Sequence, residues 1–404
     1  DTECYRCDLL SYVVTSSSTM EISLAQDIMA LCLTQTQEMA KAEAKRQQRA
    51  QRISHFFNSV LARPEVAFLL GRFSGSRSAR CLAQCSKLHG LHLRNAMQML
   101  QEAALPEIYL CGGQSSRNTT AAVERYVPAR REWEVLPPMP TARSFCCAAS
   151  LGGKIYILGG EKDQRAAFAA CECYDPVTDD WTRLPPMPTA RAGAACAVAE
   201  KKLVVCGGLV MAWQVLDVVE AFDPEIGKWR RLPAMPTPRC GCCAVGVGSS
   251  VVVLGGQLAN GTVLDKVEVL HLPDLHWDRL ASMPSPRSGH GAATWRDERH
   301  GSDANHRTLI YVLGGLGGSG LTVPVVDRFC LEDNTWLPPF STTLSRAGCA
   351  VVPLGQHIHV LGGFDSNRQD SDQHEVLNAQ TGEVTLGLAM PSPRRLCCGA
   401  SCVR

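Results

Sequence analysis

The side chains with the plainest chemical potential in this 404-residue chain are cysteines and histidines. Cys4 and Cys7 have the spacing of half a zinc site, and Cys81 and Cys85 could supply the other half. His89 and His92 form a pair in HGLH, and His357 and His359 form another in HIH. The second pair alternates along a strand, so both imidazoles fall on one face. Each histidine pair lacks a third donor, and the cysteine pairs lack the compact turns of a zinc module. No metal and no cofactor is therefore expected. No glycine-rich phosphate loop, nucleophile elbow or pair of catalytic carboxylates stands out either, so the chain does not read as an enzyme.

The elements around these residues are repetitive. Six short β-branched runs each end in a glycine pair: Gly112-Gly113, Gly159-Gly160, Gly207-Gly208, Gly255-Gly256, Gly314-Gly315 and Gly362-Gly363. Further marks keep the same phase. An acidic residue and, two positions later, an aromatic or leucine follow each pair, from Glu124/Tyr126 to Glu375/Leu377. Seven residues on stand Trp133, Trp181, Trp229, Trp277 and Trp336, with Val384 in the sixth copy. The unit closes in a Met-Pro-x-x-Arg segment or a variant, ending at Arg143, Arg191, Arg239, Arg287, Arg346 and Arg394. A period near 50 residues with short strands is that of propeller blades. One four-stranded sheet cannot bury both faces alone, whereas stacked sheets do. Between Arg287 and the fifth glycine pair the unit is longer, by a polar insertion within residues 296–307.

In these marks the chain resembles the kelch-repeat family, over residues 107–404. The resemblance implies an all-β, six-bladed β-propeller, with an α-helical N-terminal extension in this chain. RLCCGASCVR at the end of the sequence matches the strand that precedes each glycine pair, so it is expected to complete blade one. The domain reading is 1–105, helical though not necessarily ordered throughout, and 106–404, a propeller closed by its C-terminal strand. The strands after each arginine are small-residue-rich and should be innermost, crowded around the axis. The tryptophans should fill the space between blades.

The resemblance also implies a function: a protein-interaction module or adaptor that binds through loops on one face. In such modules the loops around the Met-Pro-x-x-Arg segments and after Gly-Gly often form the binding face. That makes Arg143, Arg191, Arg239, Arg287, Arg346 and Arg394 the candidate partner-binding residues, suited to an acidic peptide. The alternative is a metal-dependent kelch enzyme of the specifier type, using Asp370 and His374 in DSNRQDSDQH. Ser366 stands where that type has a glutamate, which weighs against it.

Composition bounds the rest. Net charge is +1 and 45% of residues are hydrophobic, so a sizeable core is affordable and nucleic acid is not an expected partner. No apolar run is long enough to span a membrane. The 20 cysteines include adjacent pairs such as Cys146-Cys147, Cys242-Cys243 and Cys397-Cys398. Neighbours on a strand face opposite ways, which suits buried thiols and a reducing compartment, hence a cytoplasmic location. Residues 20–62, free of proline and glycine, read as a helix, and 65–73 and 79–100 as two more. Eleven Lys or Arg against two acids lie between Lys41 and Arg94. The helices could also support self-association.

Overall fold

The computed structural model describes residues 106–402, apart from Arg117 and residues 164–165, 211–213, 298–306 and 343–344. The expected N-terminal helices, their basic run, the cysteine pairs Cys4/Cys7 and Cys81/Cys85, and His89 and His92 lie outside the described residues.

Six four-stranded antiparallel sheets form the blades of a propeller. From the innermost strand outward, blade 2 is Cys147–Leu151, Lys154–Leu158, Cys171–Asp175 and Asp180–Leu184. Blade 3 is Ala195–Ala199, Lys202–Cys206, Val219–Asp223 and Lys228–Leu232. Blade 4 is Cys243–Val247, Ser250–Leu254, Val267–His271 and His276–Leu280. Blade 5 has longer strands around the inserted segment: Gly291–Asp297, Arg307–Leu313, Val325–Cys330 and Thr335–Ser341. Blade 6 is Ala350–Leu354, His357–Leu361, His374–Asn378 and the short Val384–Leu386. Blade 1 is assembled from both ends of the propeller: Cys398–Cys402 lies inside Glu107–Cys111, followed by Val123–Val127 and Glu132–Leu136. The register pairs Glu107 with Cys402 and Cys111 with Cys398. Joining the two ends in this way gives blade 1 its fourth strand and leaves Glu107–Cys111 paired on both sides.

Burial explains which residues occupy which strand. The second strand of each blade is covered on both faces, so Lys202–Cys206 and Ser250–Leu254 are apolar almost throughout. The outer strands are solvated on alternate positions, as in Asp180–Leu184. The inner strands of adjacent blades crowd one another, and small residues fit there; a Cβ on Gly246 would lie 1.9 Å from the carbonyl oxygen of Val198 in blade 3. The cores lie between blades. Val204, Val219 and Ala221 of blade 3 pack with Val251, Val253 and Leu270 of blade 4.

Two devices couple each blade to the next. The indole Nε1 of Trp181, Trp229, Trp277 and Trp336 donates to a carbonyl of the preceding blade: Pro137, Pro185, Pro233 and Ala281, at 2.9–3.0 Å. Trp133 donates likewise to Leu388 at 3.0 Å, across the seam from blade 6 to blade 1. Around the axis, backbone N–H groups form a closed hydrogen-bonded cycle, one residue per blade junction. Gly193 donates to Phe145, Gly241 to Gly193, Gly289 to Gly241, Gly348 to Gly289, Leu396 to Gly348, and Phe145 to Leu396, at 2.7–3.1 Å. All six have φ between 52° and 63°, the left-handed region, which is why four of them are glycine.

Candidate functional site

The glycine pairs and arginines are built into the blade junctions. The N–H of the second glycine of each pair donates to the backbone oxygen of an arginine: Gly113 to Arg143, Gly160 to Arg191, Gly208 to Arg239, Gly256 to Arg287, Gly315 to Arg346 and Gly363 to Arg394, at 2.8–2.9 Å. The first glycine leaves room for that approach: a Cβ on Gly207, whose φ is 64°, would lie 2.3 Å from the Arg239 oxygen. The side chain of each arginine then crosses to the following blade. Nη1 of Arg191 donates to the carbonyls of Gly207 and Val218 at 3.0 and 2.8 Å. Nη2 meets the acidic residue of that blade's third strand. The ion pairs are Arg143–Glu172, Arg191–Glu220, Arg239–Glu268, Arg287–Asp327, Arg346–Glu375 and, closing the ring, Arg394–Glu124. Thr141, Thr189 and Thr237 donate to the remaining carboxylate oxygen at 2.6–2.7 Å.

All six arginines are buried, none more than 5% exposed. Burial draws the pKa of Arg191, Arg287 and Arg346 below its ordinary value. Burial gives these guanidiniums a structural place in the junctions. Each guanidinium is shielded from solvent and paired with an acidic side chain inside its junction.

The residues offered for metal chemistry are also separated in role. Asp370 lies on the loop side, its Oδ1 3.2 Å from Arg395 Nε and its Oδ2 accepting from the Ser116 N–H at 3.2 Å. His374 is buried at the start of a blade 6 strand, with Nε2 2.8 Å from Nδ1 of His359 and its ring edge-on to Tyr126 at 4.8 Å. Burial pushes His374 down to about 4 and His359 to about 3, so the pair is neutral near pH 7. Asp370 and His374 thus engage different partners in different surroundings, and no shared site forms from them. His357 is exposed while His359 is buried, so that pair is likewise no chelate.

What the arrangement does create is an axial cavity of about 590 Å³. Its wall is the position immediately after each glycine pair, Gln114, Glu161, Leu209, Gln257, Leu316 and Phe364. Each is bridged antiparallel to the residue after a repeat arginine, as in Ser144 with Glu161 and Cys240 with Gln257. The hydrogen-bonded cycle of Phe145, Gly193, Gly241, Gly289, Gly348 and Leu396 also lines it. The wall is two-sided. From blade 6 through blade 2 it carries Arg368, Arg395, Gln114 and Glu161; from blade 3 through blade 5 it carries Leu209, Val210, Cys240, Gln257 and Leu316. The guanidiniums of Arg368 and Arg395 sit over the Phe364 ring, 5.0 and 5.4 Å from its centroid. Burial raises the carboxyl pKa of Glu161.

The resemblance points to the loops after Gly-Gly but names none of these six residues. A signal was present. Within a repeat whose other marks recur, the residue after Gly-Gly varies freely among Gln, Glu, Leu and Phe. Variation at a fixed point of a rigid scaffold is how a binding surface is diversified.

Comparison with known proteins agrees with this architecture. Residues 100–300 match the KLHDC2/KLHL20/DRC7 Kelch-repeats domain. Similar curated sequences include Kelch-like protein 33 of Homo sapiens, 44% identical over 57 residues, which are 13% of this chain and 11% of that protein. Kelch domain-containing protein 8B of Mus musculus is 50% identical over 40 residues, 10% of this chain and 11% of that protein. The matches thus span about a tenth of each relative. Among solved structures, that of YjhT superposes with a TM-score of 0.58 at 17% identity, covering 71% of this chain and 99% of YjhT, a likeness of fold. With six in-phase copies of the repeat, one four-stranded blade for each, and these matches, the chain belongs to the kelch-repeat family.

Proposed function

We propose that the chain is a protein-interaction adaptor whose propeller receives a segment of a partner protein in the axial cavity. The observation that carries this reading is the uneven wall: its two cations, Arg368 and Arg395, stand on the side of blades 6 and 1, while Leu209, Val210 and Leu316 line the side of blades 3 to 5 beside the amide of Gln257. A peptide segment fits such a wall when it places an acidic side chain towards Arg368 and an aliphatic or aromatic one against Leu209 and Leu316. The acidic preference expected from the sequence thereby moves from the buried arginine ring to Arg368 and Arg395. Arg395 is already paired with Asp370, so Arg368 carries more of the attraction. The buried thiols of the blades suit a reducing, cytoplasmic setting, and no described helix is long and apolar enough to cross a membrane.

The test is selection of peptides from a random display library on the full chain, followed by affinity measurement. Selected peptides should share an acidic residue beside an apolar one. Arg368→Ala and Leu316→Asp should each weaken binding by roughly 2 kcal/mol, as residues at the centre of an interface do. Added salt should weaken it further, since attraction between exposed charges is screened beyond about 8 Å at physiological ionic strength. Peptides that bind both variants as well as the unmodified chain would remove the cavity from the account.

A further inference from the structure

At the solvent edge of blade 4, far along the sheet from the axis, two histidines and an aspartate converge. His271 ends the third strand and His276 begins the outer one, and they are direct register partners across the hairpin. Asp278 lies two residues beyond His276, hence on the same face of the sheet. The three side chains offer donor atoms that all lie within 4.8 Å of one another. His276 Nε2 is 3.1 Å from Asp278 Oδ2, and His271 Nε2 is 3.4 Å from the same oxygen.

We propose that His271, His276 and Asp278 form a three-donor site for a divalent transition-metal ion of the zinc class, with its fourth coordination position open to water. Three features support this. First, the geometry suits the ion. Ligands about 2.0–2.1 Å from a tetrahedral zinc stand roughly 3.3 Å apart, so two edges of the tetrahedron are already close to length. Second, the donors suit it. Two imidazoles and one carboxylate are a nitrogen-and-oxygen set that zinc, nickel and copper accept. Calcium and magnesium instead require six or more oxygens or a retained water shell. Third, an outer partner orients one ligand. Ser250, the register partner of His271, places its Oγ 3.1 Å from His271 Nδ1. A proton held on that nitrogen leaves Nε2 as the free donor, facing Asp278. The imidazole rings stack at 4.7 Å with 25° between planes, and the hairpin that joins them is held tight by the left-handed Leu275. All three side chains are one-third to three-fifths exposed, so an ion enters from solvent without any opening of the fold.

Cobalt(II) serves as the probe, because nitrogen- and oxygen-bound cobalt absorbs weakly in the visible without the intense charge-transfer band of thiolate ligation. That separates this site from the chain's many cysteines. The full chain should bind one equivalent of cobalt(II) with such a spectrum, and zinc(II) should displace it. His276→Ala and Asp278→Asn should each abolish the signal while leaving the metal-free melting temperature unchanged, since both residues are at the surface. Ser250→Ala should weaken binding by roughly tenfold, the usual cost of losing an outer-shell partner. Retention of the spectrum in both ligand variants, or cobalt bound only through thiolate, would overturn the proposal. The three residues would then be a pair of histidines sharing one carboxylate as hydrogen-bond acceptor.

Discussion

Blades 2 to 4 and blades 5, 6 and 1 solve the same packing problem with different parts. In the first group the junctions recur closely. Trp229 and Trp277 donate to the prolines 44 residues before them at 2.9 and 3.0 Å, and Thr189 and Thr237 both reach their glutamate at 2.7 Å. In the second group the parts change. Blade 6 has Val384 where the other blades have tryptophan, and its outer strand is three residues long. Tyr311 of blade 5 instead reaches across to the Ala379 carbonyl at 2.6 Å. At the seam of blades 6 and 1, His359 and His374 pack beside Tyr126 and Trp133. The non-glycine members of the axial cycle, Phe145 and Leu396, stand on either side of blade 1. A blade junction therefore needs a buried ion pair, an apolar filler and a bond to the neighbouring backbone. The arginine–acid pair is kept at all six junctions, and the filler is exchangeable.

Breaking the seam outright should have the largest effect. Removing residues 395–404 takes away the inner strand of blade 1, its buried small residues and the Leu396 link in the axial cycle. Stability should fall by more than about 5 kcal/mol, beyond any single substitution below. Denaturant unfolding of the truncated chain checks this, and melting alongside the full chain would show that the ring does not depend on its C-terminal strand.

Next comes the element common to both groups. Arg239→Ala in the regular group and Arg394→Ala at the seam each leave a buried carboxylate without its cation, Glu268 and Glu124. Each should cost roughly 3–5 kcal/mol. Similar losses at the two sites would mark the ion pair as the invariant part; a much smaller loss at Arg394 would mean that the seam is held by its strand alone.

The fillers should separate the groups. Trp181→Ala removes a half-buried indole and its bond to Pro137, at a cost of about 3 kcal/mol. Val384→Ala should cost about 1 kcal/mol or less, because the valine is small and partly solvated. Equal losses in thermal melts would contradict the exchange of parts described above.

Acid should act on the seam through two buried histidines. The folded-state pKa values of His359 and His374, about 3 and about 4, lie below the ordinary 6.5. The unfolded chain therefore binds protons more readily, and stability must fall as pH drops from about 6.5 towards 4. Between pH 7 and 5 the loss is about 2 kcal/mol for each histidine. His374→Gln should shallow that slope by one proton, measured by unfolding at several pH values. His290 of blade 5, pushed to about 3 by burial and Arg287, contributes a similar background that the substitution leaves in place.

The smallest effect concerns the axial cycle. Gly241→Ala has room, its Cβ being 3.4 Å from the nearest backbone atom, so the cost is the left-handed backbone alone, about 1 kcal/mol. Phe145 and Leu396 already bear that cost beside blade 1. A larger loss at Gly241 would mean that the regular half tolerates less strain than the closing half.

The blade count and the inner position of the small-residue strands were legible in the sequence. So was RLCCGASCVR as the strand missing from blade 1. These follow from periodicity and side-chain size, which act locally and recur six times. The candidate binding residues were not legible in the same way. An arginine at the end of each repeat reads more readily as a strut of its own blade than as a partner's donor, and the repeated acidic residue offers it a mate, but the sequence does not say across which sheets they meet. Only the closed ring shows that an acidic side chain of the next blade meets each guanidinium, and that two carbonyls meet five of the six.

The chain's own pattern determined that six similar sheets would form and stack, because each sheet has two apolar faces and no other means of covering them. The tertiary structure alone decided which side chains meet across 250 residues of sequence, such as Arg394 with Glu124 and Trp133 with Leu388. It also decided that the residue after each glycine pair would face a common axial cavity, and that His271, His276 and Asp278 would converge on one edge. Contacts between separate blades depend on the angle and height at which the sheets pack around the ring. Those are set by the whole cycle of junctions together and by no single repeat.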